Sequence, residues 1–88
     1  MRMAIVTLGL GANLGERLDT LQRSVALLAE RGVVATASSR VWESEPVGGP
    51  RDQPAYLNVV VRAHTNGTAD DTLRAAHQVE AELRRTRE

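Results

Sequence analysis

The sequence contains no cysteine, no lysine and no phenylalanine, and its large aromatic side chains are limited to Trp42 and Tyr56. The absence of cysteine excludes disulfides and thiolate metal sites. The formal net charge is zero, which argues against a general nucleic-acid binder because such proteins need a basic surface. No apolar run approaches ~18 residues and no signal-peptide pattern is present, so we expect a cytoplasmic protein without nucleic-acid or membrane partners.

Hydrophobic periodicity predicts five elements in a single domain spanning residues 1–88. In chain order they are a strand at Ala4–Leu10, a helix at 16–30, a strand at Val33–Trp42, a strand at Tyr56–His64 and a helix that follows Thr68. Thr68 is a good N-cap, and the acidic residues Asp70 and Asp71 suit the first turn of that helix. The stretch Glu43–Pro54 holds all three prolines and is predicted to be a loop.

The order of these elements predicts an α/β fold of the α+β type. The pattern β-α-β-β-α is ferredoxin-like without its last strand, with an antiparallel sheet and two helices on one face. Without that last strand, the apolar first strand would be an exposed edge. We therefore expect a homodimer that pairs through Ala4–Leu10, or a partner that supplies the missing strand.

Polar residues in and around the third strand are candidates for a binding site. Asn58 interrupts an apolar strand, so its amide needs partners, which a ligand or the backbone can supply. Tyr56 lies either in a pocket or against the core. Glu43 and Glu45 flank Ser44; loop carboxylates are usually solvated, but a desolvated one can act as a general acid or base. His64 and His77 lack the spacing of metal ligands.

Three stretches carry a resemblance to a known family. They are Leu10-Gly11-Ala12-Asn13-Leu14-Gly15-Glu16-Arg17; Trp42-Glu43-Ser44-Glu45-Pro46-Val47-Gly48 with Gln53-Pro54-Ala55-Tyr56-Leu57-Asn58; and Val79-Glu80 with Leu83-Arg84-Arg85-Thr86-Arg87. The chain resembles the N-terminal half of the 6-hydroxymethyl-7,8-dihydropterin pyrophosphokinases. The second stretch is the most specific of the three. Arg84 replaces the family's glycine, so we expect the second helix to continue there.

The resemblance implies a set of site residues and a chemistry. Enzymes of this family transfer pyrophosphate from ATP to the hydroxymethyl group of a reduced pterin, with two magnesium ions held by an Asp-x-Asp pair beyond the second helix. By resemblance, Ser44, Val47, Tyr56 and Asn58 line the counterpart of the pterin pocket, and Glu80 faces the catalytic cleft. By the same resemblance, Arg85 and Arg87 meet the ATP phosphates, although cations at a helix end also suit its dipole.

The magnesium-binding segment of the family is missing from the sequence, which ends about where that segment should begin. We therefore expect no cofactor or metal site and no pyrophosphokinase activity from this chain alone. The first interpretation is a shortened relative that binds a planar, pterin-like molecule and performs acid–base chemistry, an isomerisation or cyclisation, with Glu45, Tyr56 and Glu80 as catalytic residues. The alternatives are a fragment of a folate-pathway pyrophosphokinase and a non-catalytic interaction module.

Overall fold

A computed structural model describes residues 3–45 and 54–86, which form a four-stranded sheet and two helices. The elements are β1 (Ala4–Ala12), α1 (Arg17–Glu30), β2 (Val33–Ser38), β3 (Trp42–Ser44), β4 (Tyr56–Thr65) and α2 (Ala69–Thr86). Glycines in the left-handed region, Gly15 before α1 and Gly32 after it, allow the chain to turn at both ends of that helix. As expected, α2 continues through Arg84.

Strand β4 lies at the centre of the sheet and is antiparallel to the other three strands. It pairs with β1 along one edge, and with β2 and β3 along the other. Its alternating pattern buries Val59, Val61 and Ala63 on the helix side, while Tyr56 and Arg62 are exposed on the opposite side. The register places Gly11 opposite Asn58 and Ser44 opposite Tyr56, so β1 and β3 both approach the start of β4.

The core lies between the sheet and both helices. One cluster joins Leu28 of α1 to Val79 and Leu83 of α2, and a second joins Leu21 to the buried valines of β4. The predicted α+β fold, with an antiparallel sheet and both helices packed on one face, is confirmed. Of the helices in the described part of the chain, neither combines the length and the apolar character needed to cross a membrane.

The prediction of one continuous strand at Val33–Trp42 is wrong. A register shift between Ala35 and Ala37 bends β2, which ends at Ser38. Ser39 then uses its side chain: the Val60 N–H donates to Ser39 Oγ at 2.9 Å, while the Ser39 N–H donates to the Val60 carbonyl at 2.8 Å. Serine competes with the backbone for ladder hydrogen bonds in this way, so the strand stops there and β3 starts afresh at Trp42.

The predicted loop at Glu43–Pro54 also begins later than expected, because Glu43 and Ser44 belong to β3. Most of that stretch, residues 46–53, lies outside the described residues. At the other side of the sheet, β1 pairs with β4 and with no other strand of the described chain, as expected for an edge strand. Pairing of two chains through Ala4–Leu10 stays a prediction.

The N-terminus of α2 is closed by a reciprocal pair of hydrogen bonds between Thr68 and Asp71. The Asp71 N–H donates to Thr68 Oγ1 at 3.1 Å, and the Thr68 N–H donates to Asp71 Oδ2 at 2.9 Å. This is a capping box with aspartate in the acidic position. The backbone hydrogen bond from Thr68, and then the one from its hydroxyl, hold the pKa of Asp71 below its ordinary value of 3.8.

This cap predicts acid-sensitive stability. Because the pKa of Asp71 is lower in the folded chain, its stabilising contribution is present above about pH 3.8 and disappears as the pH falls through the folded-state pKa. We expect Asp71→Asn to remove that contribution at neutral pH, and Thr68→Ala to cost about 1 kcal/mol. Urea unfolding at several pH values measures both. Asp70→Asn is the matched control, and an equal loss in that variant would contradict the capping role.

Candidate ligand-binding site

Three of the predicted site residues meet where β3 pairs with β4. Ser44 is opposite Tyr56, and Asn58 is opposite Trp42. The Asn58 side-chain amide donates from Nδ2 to Ser44 Oγ at 2.9 Å and to the Trp42 carbonyl at 3.2 Å, with the Tyr56 carbonyl at 3.5 Å. The two strands therefore hold the amide of Asn58 in a fixed place.

The orientation of this amide is settled by the chemistry of its neighbours. Backbone carbonyls can only accept hydrogen bonds, so Nδ2 has to face Trp42 and Tyr56, and Oδ1 has to face away from them. No donor of the described residues is bonded to Oδ1. Because no fully buried side-chain polar atom in the described part of the chain lacks a partner, Oδ1 is not fully buried and can accept a hydrogen bond from a ligand.

Gly11 on β1 leaves room beside this free oxygen. A Cβ at Gly11 would stand 3.3 Å from Asn58 Oδ1 and 3.6 Å from Cδ1 of Tyr56. The first distance is tighter than an ordinary contact, so any larger residue at this position crowds the amide. We call Gly11, Ser44, Tyr56 and Asn58 the amide patch. It presents a hydrogen-bond acceptor, a hydroxyl and an aromatic ring around a gap that has no side chain of its own.

The gap at Gly11 predicts a binding defect without a stability defect. We expect Gly11→Ala to weaken ligand binding by the amide patch roughly threefold to tenfold, because its methyl group presses on Asn58. The folded state should not suffer from the change itself, since alanine restricts the unfolded chain more than glycine does.

Gly9 provides the matched control for this substitution. It lies two residues earlier on the same face of β1, and a Cβ there meets nothing within 4 Å. Isothermal titration of Gly9→Ala and Gly11→Ala, with a urea unfolding curve for each, separates the two effects. Equal affinities in the two variants would contradict the proposed crowding.

A cleft of about 370 Å³ lies between β1, α1 and α2, and of the four amide-patch residues Gly11 and Tyr56 line it, whereas Ser44 and Asn58 do not. Gly11 and Tyr56 line it at one end, and the apolar side chains of Val79 and Leu83 line it on the helix side. Glu80 and Arg84 also border it and form an ion pair of 3.8 Å across one turn of α2. The cleft is therefore apolar along its wall and charged at its α2 rim.

The remaining predicted residues are distributed unevenly around this site. Glu80 shares the cleft with Tyr56, whereas Glu45 is exposed just beyond β3. Arg85 is exposed near the end of α2, and the neighbouring Arg84 is the arginine that borders the cleft. Val47 and Arg87 lie outside the described residues. The catalytic roles assigned to Glu45, Tyr56 and Glu80 stay predictions.

Two contributors had no role in the sequence-based prediction of the site. Gly11 and Arg17 both occur in the first resembling stretch, but the position of Gly11 opposite Asn58 depends on the strand register, which a single sequence does not display. Arg17 donates from one nitrogen, Nη1, to Glu43 Oε2 and to the Ala55 carbonyl, each at 2.9 Å. The position of Arg17 in the first resembling stretch was the one signal that it belongs to the site, because its partners, Glu43 and Ala55, are far away in sequence.

The acidic side chains of the described residues do not form a cluster of three. Among residues 3–45 and 54–86, no three histidine, aspartate or glutamate side chains lie close enough together to hold a metal. Two of the acidic residues discussed above are each held in an ion pair: Glu43 pairs with Arg17, and Glu80 with Arg84. The metal-binding carboxylates that the resemblance implies are not in this part of the chain.

The comparisons with known proteins agree on the same family. Residues 7–88 match the family model for 7,8-dihydro-6-hydroxymethylpterin-pyrophosphokinase. The 2-amino-4-hydroxy-6-hydroxymethyldihydropteridine pyrophosphokinase of Bacillus subtilis is 39% identical over 85 residues, covering 96% of this chain and 50% of that protein. The enzyme of the same name in Porphyromonas gingivalis is 38% identical over 84 residues, covering 96% of this chain and 56% of that protein.

A relative from plants shows the same segment inside a larger protein. The folate synthesis bifunctional protein of Arabidopsis thaliana is 31% identical over 80 residues, covering 91% of this chain and 16% of that protein. The chain thus spans about half the length of the bacterial relatives it matches.

Proposed function

Because this chain belongs to the 7,8-dihydro-6-hydroxymethylpterin-pyrophosphokinase family, we propose that its amide patch binds the pterin substrate of a folate-pathway pyrophosphoryl transfer. The observation that carries the proposal is the fixed amide of Asn58, whose Oδ1 is free beside Gly11. The names of the bacterial relatives give the acceptor as 2-amino-4-hydroxy-6-hydroxymethyldihydropteridine. That molecule is planar and has N–H donors along its amino-bearing edge.

Asn58 and Ser44 complement such an edge because Asn58 accepts a hydrogen bond and Ser44 can donate one. Asn58 Oδ1 accepts from an N–H group of the heterocycle. Ser44 Oγ already accepts from Asn58 Nδ2, so its hydroxyl hydrogen is available to donate to an oxygen or ring nitrogen of the ligand. A bound molecule that supplies both a donor and an acceptor is favoured over one that leaves either group unpaired, because unpaired polar groups in a site are costly.

Tyr56 supplies the apolar contact that hydrogen bonds alone do not give. Its side chain is 37% exposed and its ring lies next to the empty space above Gly11. A flat heterocycle on this ring gains dispersion and offset stacking. Tyr56 also lines the cleft that Glu80 and Arg84 border, and we place the hydroxymethyl group on that side of the ring.

The nucleotide and its magnesium ions belong, in this proposal, to the half of the family fold that the chain does not span. Magnesium supplies charge neutralisation for the transferred phosphoryl groups in such a reaction. The residues described here bind and orient the acceptor. The phosphate-binding roles of Arg85 and Arg87 remain part of this proposal.

Of the three interpretations, we favour a fragment of a folate-pathway pyrophosphokinase over an acid–base enzyme and over an interaction module. The comparisons consistently name folate-pathway proteins, and none of those reported names an isomerase or a cyclase. An acid–base enzyme built on Glu45, Tyr56 and Glu80 has no such support. The interaction module does not account for an amide whose donor side is fully engaged while its acceptor side is open.

Calorimetric titration of the folded chain with 6-hydroxymethyl-7,8-dihydropterin tests the proposal. We expect saturable one-to-one binding, with no binding of a magnesium–ATP analogue in a parallel titration. An analogue with an oxo group in place of the 2-amino group should bind at least about tenfold more weakly, because an acceptor then faces Asn58 Oδ1. Absence of pterin binding by a chain shown to be folded would overturn the proposal, as would equal affinity for both compounds.

A further inference from the structure

We infer that Arg17 is a positioning residue for the amide patch, because it fixes β3 and thereby the strand that holds the Asn58 amide. This inference rests on the proposed function, since it concerns how the same site is kept ready for its ligand. Arg17 is the first residue of α1, and its hydrogen bonds to Glu43 and Ala55 involve none of the four residues of the amide patch. Its influence is therefore exerted through the backbone.

The geometry of Arg17 is that of a brace between two chain segments. Its Nη1 reaches Glu43 Oε2 and the Ala55 carbonyl, each at 2.9 Å. Glu43 is the middle residue of β3, and Ala55 immediately precedes β4. One guanidinium thus ties together, from the helix side, the two segments whose pairing creates the amide patch.

Strand β3 has little else to keep it in place. It is three residues long, all of them exposed, and within the described chain its strand partner is β4 alone. Trp42 keeps 47% of its surface exposed and belongs to neither core cluster. Without a buried side chain, such a short strand lacks the apolar contacts that normally fix a strand against its sheet.

The side-chain alternation of β3 links the brace to the ligand side. Glu43 is opposite Leu57, which packs against the core, so Glu43 points toward the helices. The flanking residues, Trp42 and Ser44, supply the carbonyl and the hydroxyl that receive Asn58 Nδ2. If β3 shifts or frays, Nδ2 loses the two acceptors that β3 supplies, and Oδ1 loses its fixed direction.

The expected effect is on position more than on stability. Exposed ion pairs contribute little to folding, and Glu43 is 61% exposed in the Arg17 pair. We therefore expect Arg17→Ala to weaken pterin affinity roughly tenfold while the urea midpoint changes little. Glu43→Gln keeps an acceptor for Arg17 and should retain most of the affinity. Arg23→Ala removes an exposed arginine from the same helix; it is the control and should resemble the unsubstituted chain.

Trp42 gives a readout that does not depend on the ligand. It is the sole tryptophan of the chain and lies in β3 next to Glu43, so its fluorescence reports on that strand. We expect iodide to quench it more strongly in Arg17→Ala than in Arg23→Ala. Unchanged affinity with unchanged quenching would overturn the inference, as would a loss of affinity that merely follows a loss of stability. Failure of the unsubstituted chain to bind pterin would overturn the proposed function, while the quenching still decides whether Arg17 holds β3.

Discussion

Replacement of Leu28 by alanine is expected to lower the free energy of unfolding by about 2–5 kcal/mol. Leu28 is 3% exposed and packs between α1 and α2 together with Val33, Val79 and Leu83. Truncation removes apolar contacts and leaves a cavity that the surrounding backbone can only partly fill. Small domains have only about 5–15 kcal/mol of stability in total, so the variant should lose a large share of its stability.

Leu18→Ala is the control for this substitution because it makes the same chemical change in the same helix. Leu18 is 52% exposed, so its truncation should cost less than about 1 kcal/mol. Urea denaturation followed by far-ultraviolet circular dichroism gives both values. Similar losses in the two variants would show that α1 does not bury the face that the structure assigns to it.

The second large effect is expected at Asn58. Asn58→Ala removes the acceptor Oδ1 and also leaves Ser44 Oγ and the Trp42 carbonyl without their donor. Hydrogen bonds of this kind contribute about 1–3 kcal/mol when one partner is left unsatisfied, so we expect pterin affinity to fall by roughly tenfold to a hundredfold. Calorimetric titration measures this loss directly.

Two further variants show whether the amide or merely its volume matters. Asn58→Asp keeps the shape but places a carboxylate against the Trp42 carbonyl, so it should bind no better than Asn58→Ala. Asn66→Ala changes an exposed asparagine in the turn before α2 and should leave the affinity unchanged. Full affinity in a folded Asn58→Ala variant would exclude the amide patch as the pterin site.

Much of the fold could be predicted because its elements carry strong local patterns. The spacing of Leu21 and Leu28 marks the buried face of α1, and the alternation through Val59 and Val61 marks the buried face of β4. Thr68 and Asp71 mark the start of α2, because the capping hydrogen bonds join residues only three positions apart. The division between β2 and β3 was missed because a bulge and the hydroxyl of Ser39 act through partners on another strand.

Of the amide patch, only the residues that belong to the second resembling stretch could be predicted from the sequence. The run Tyr56-Leu57-Asn58 and the nearby Ser44 were singled out from the sequence, and the structure brings those polar side chains together. What the sequence could not show is which atom of Asn58 is free, because that depends on two carbonyls from separate strands. The role of Arg17 could not be predicted for the same reason, because its partners, Glu43 and Ala55, are 26 and 38 residues away.

The central place of β4 has a consequence for the order in which this chain folds during synthesis. Every strand pairing in the described sheet involves β4, although β1, β2 and β3 all precede it. Within the described sheet, none of the three has its strand partner until residues 56–65 have left the ribosome, and α1 has only part of its packing surface before then. The nascent chain therefore carries its apolar β1 unpaired until β4 has emerged, which is the period when a chaperone has the most to shield.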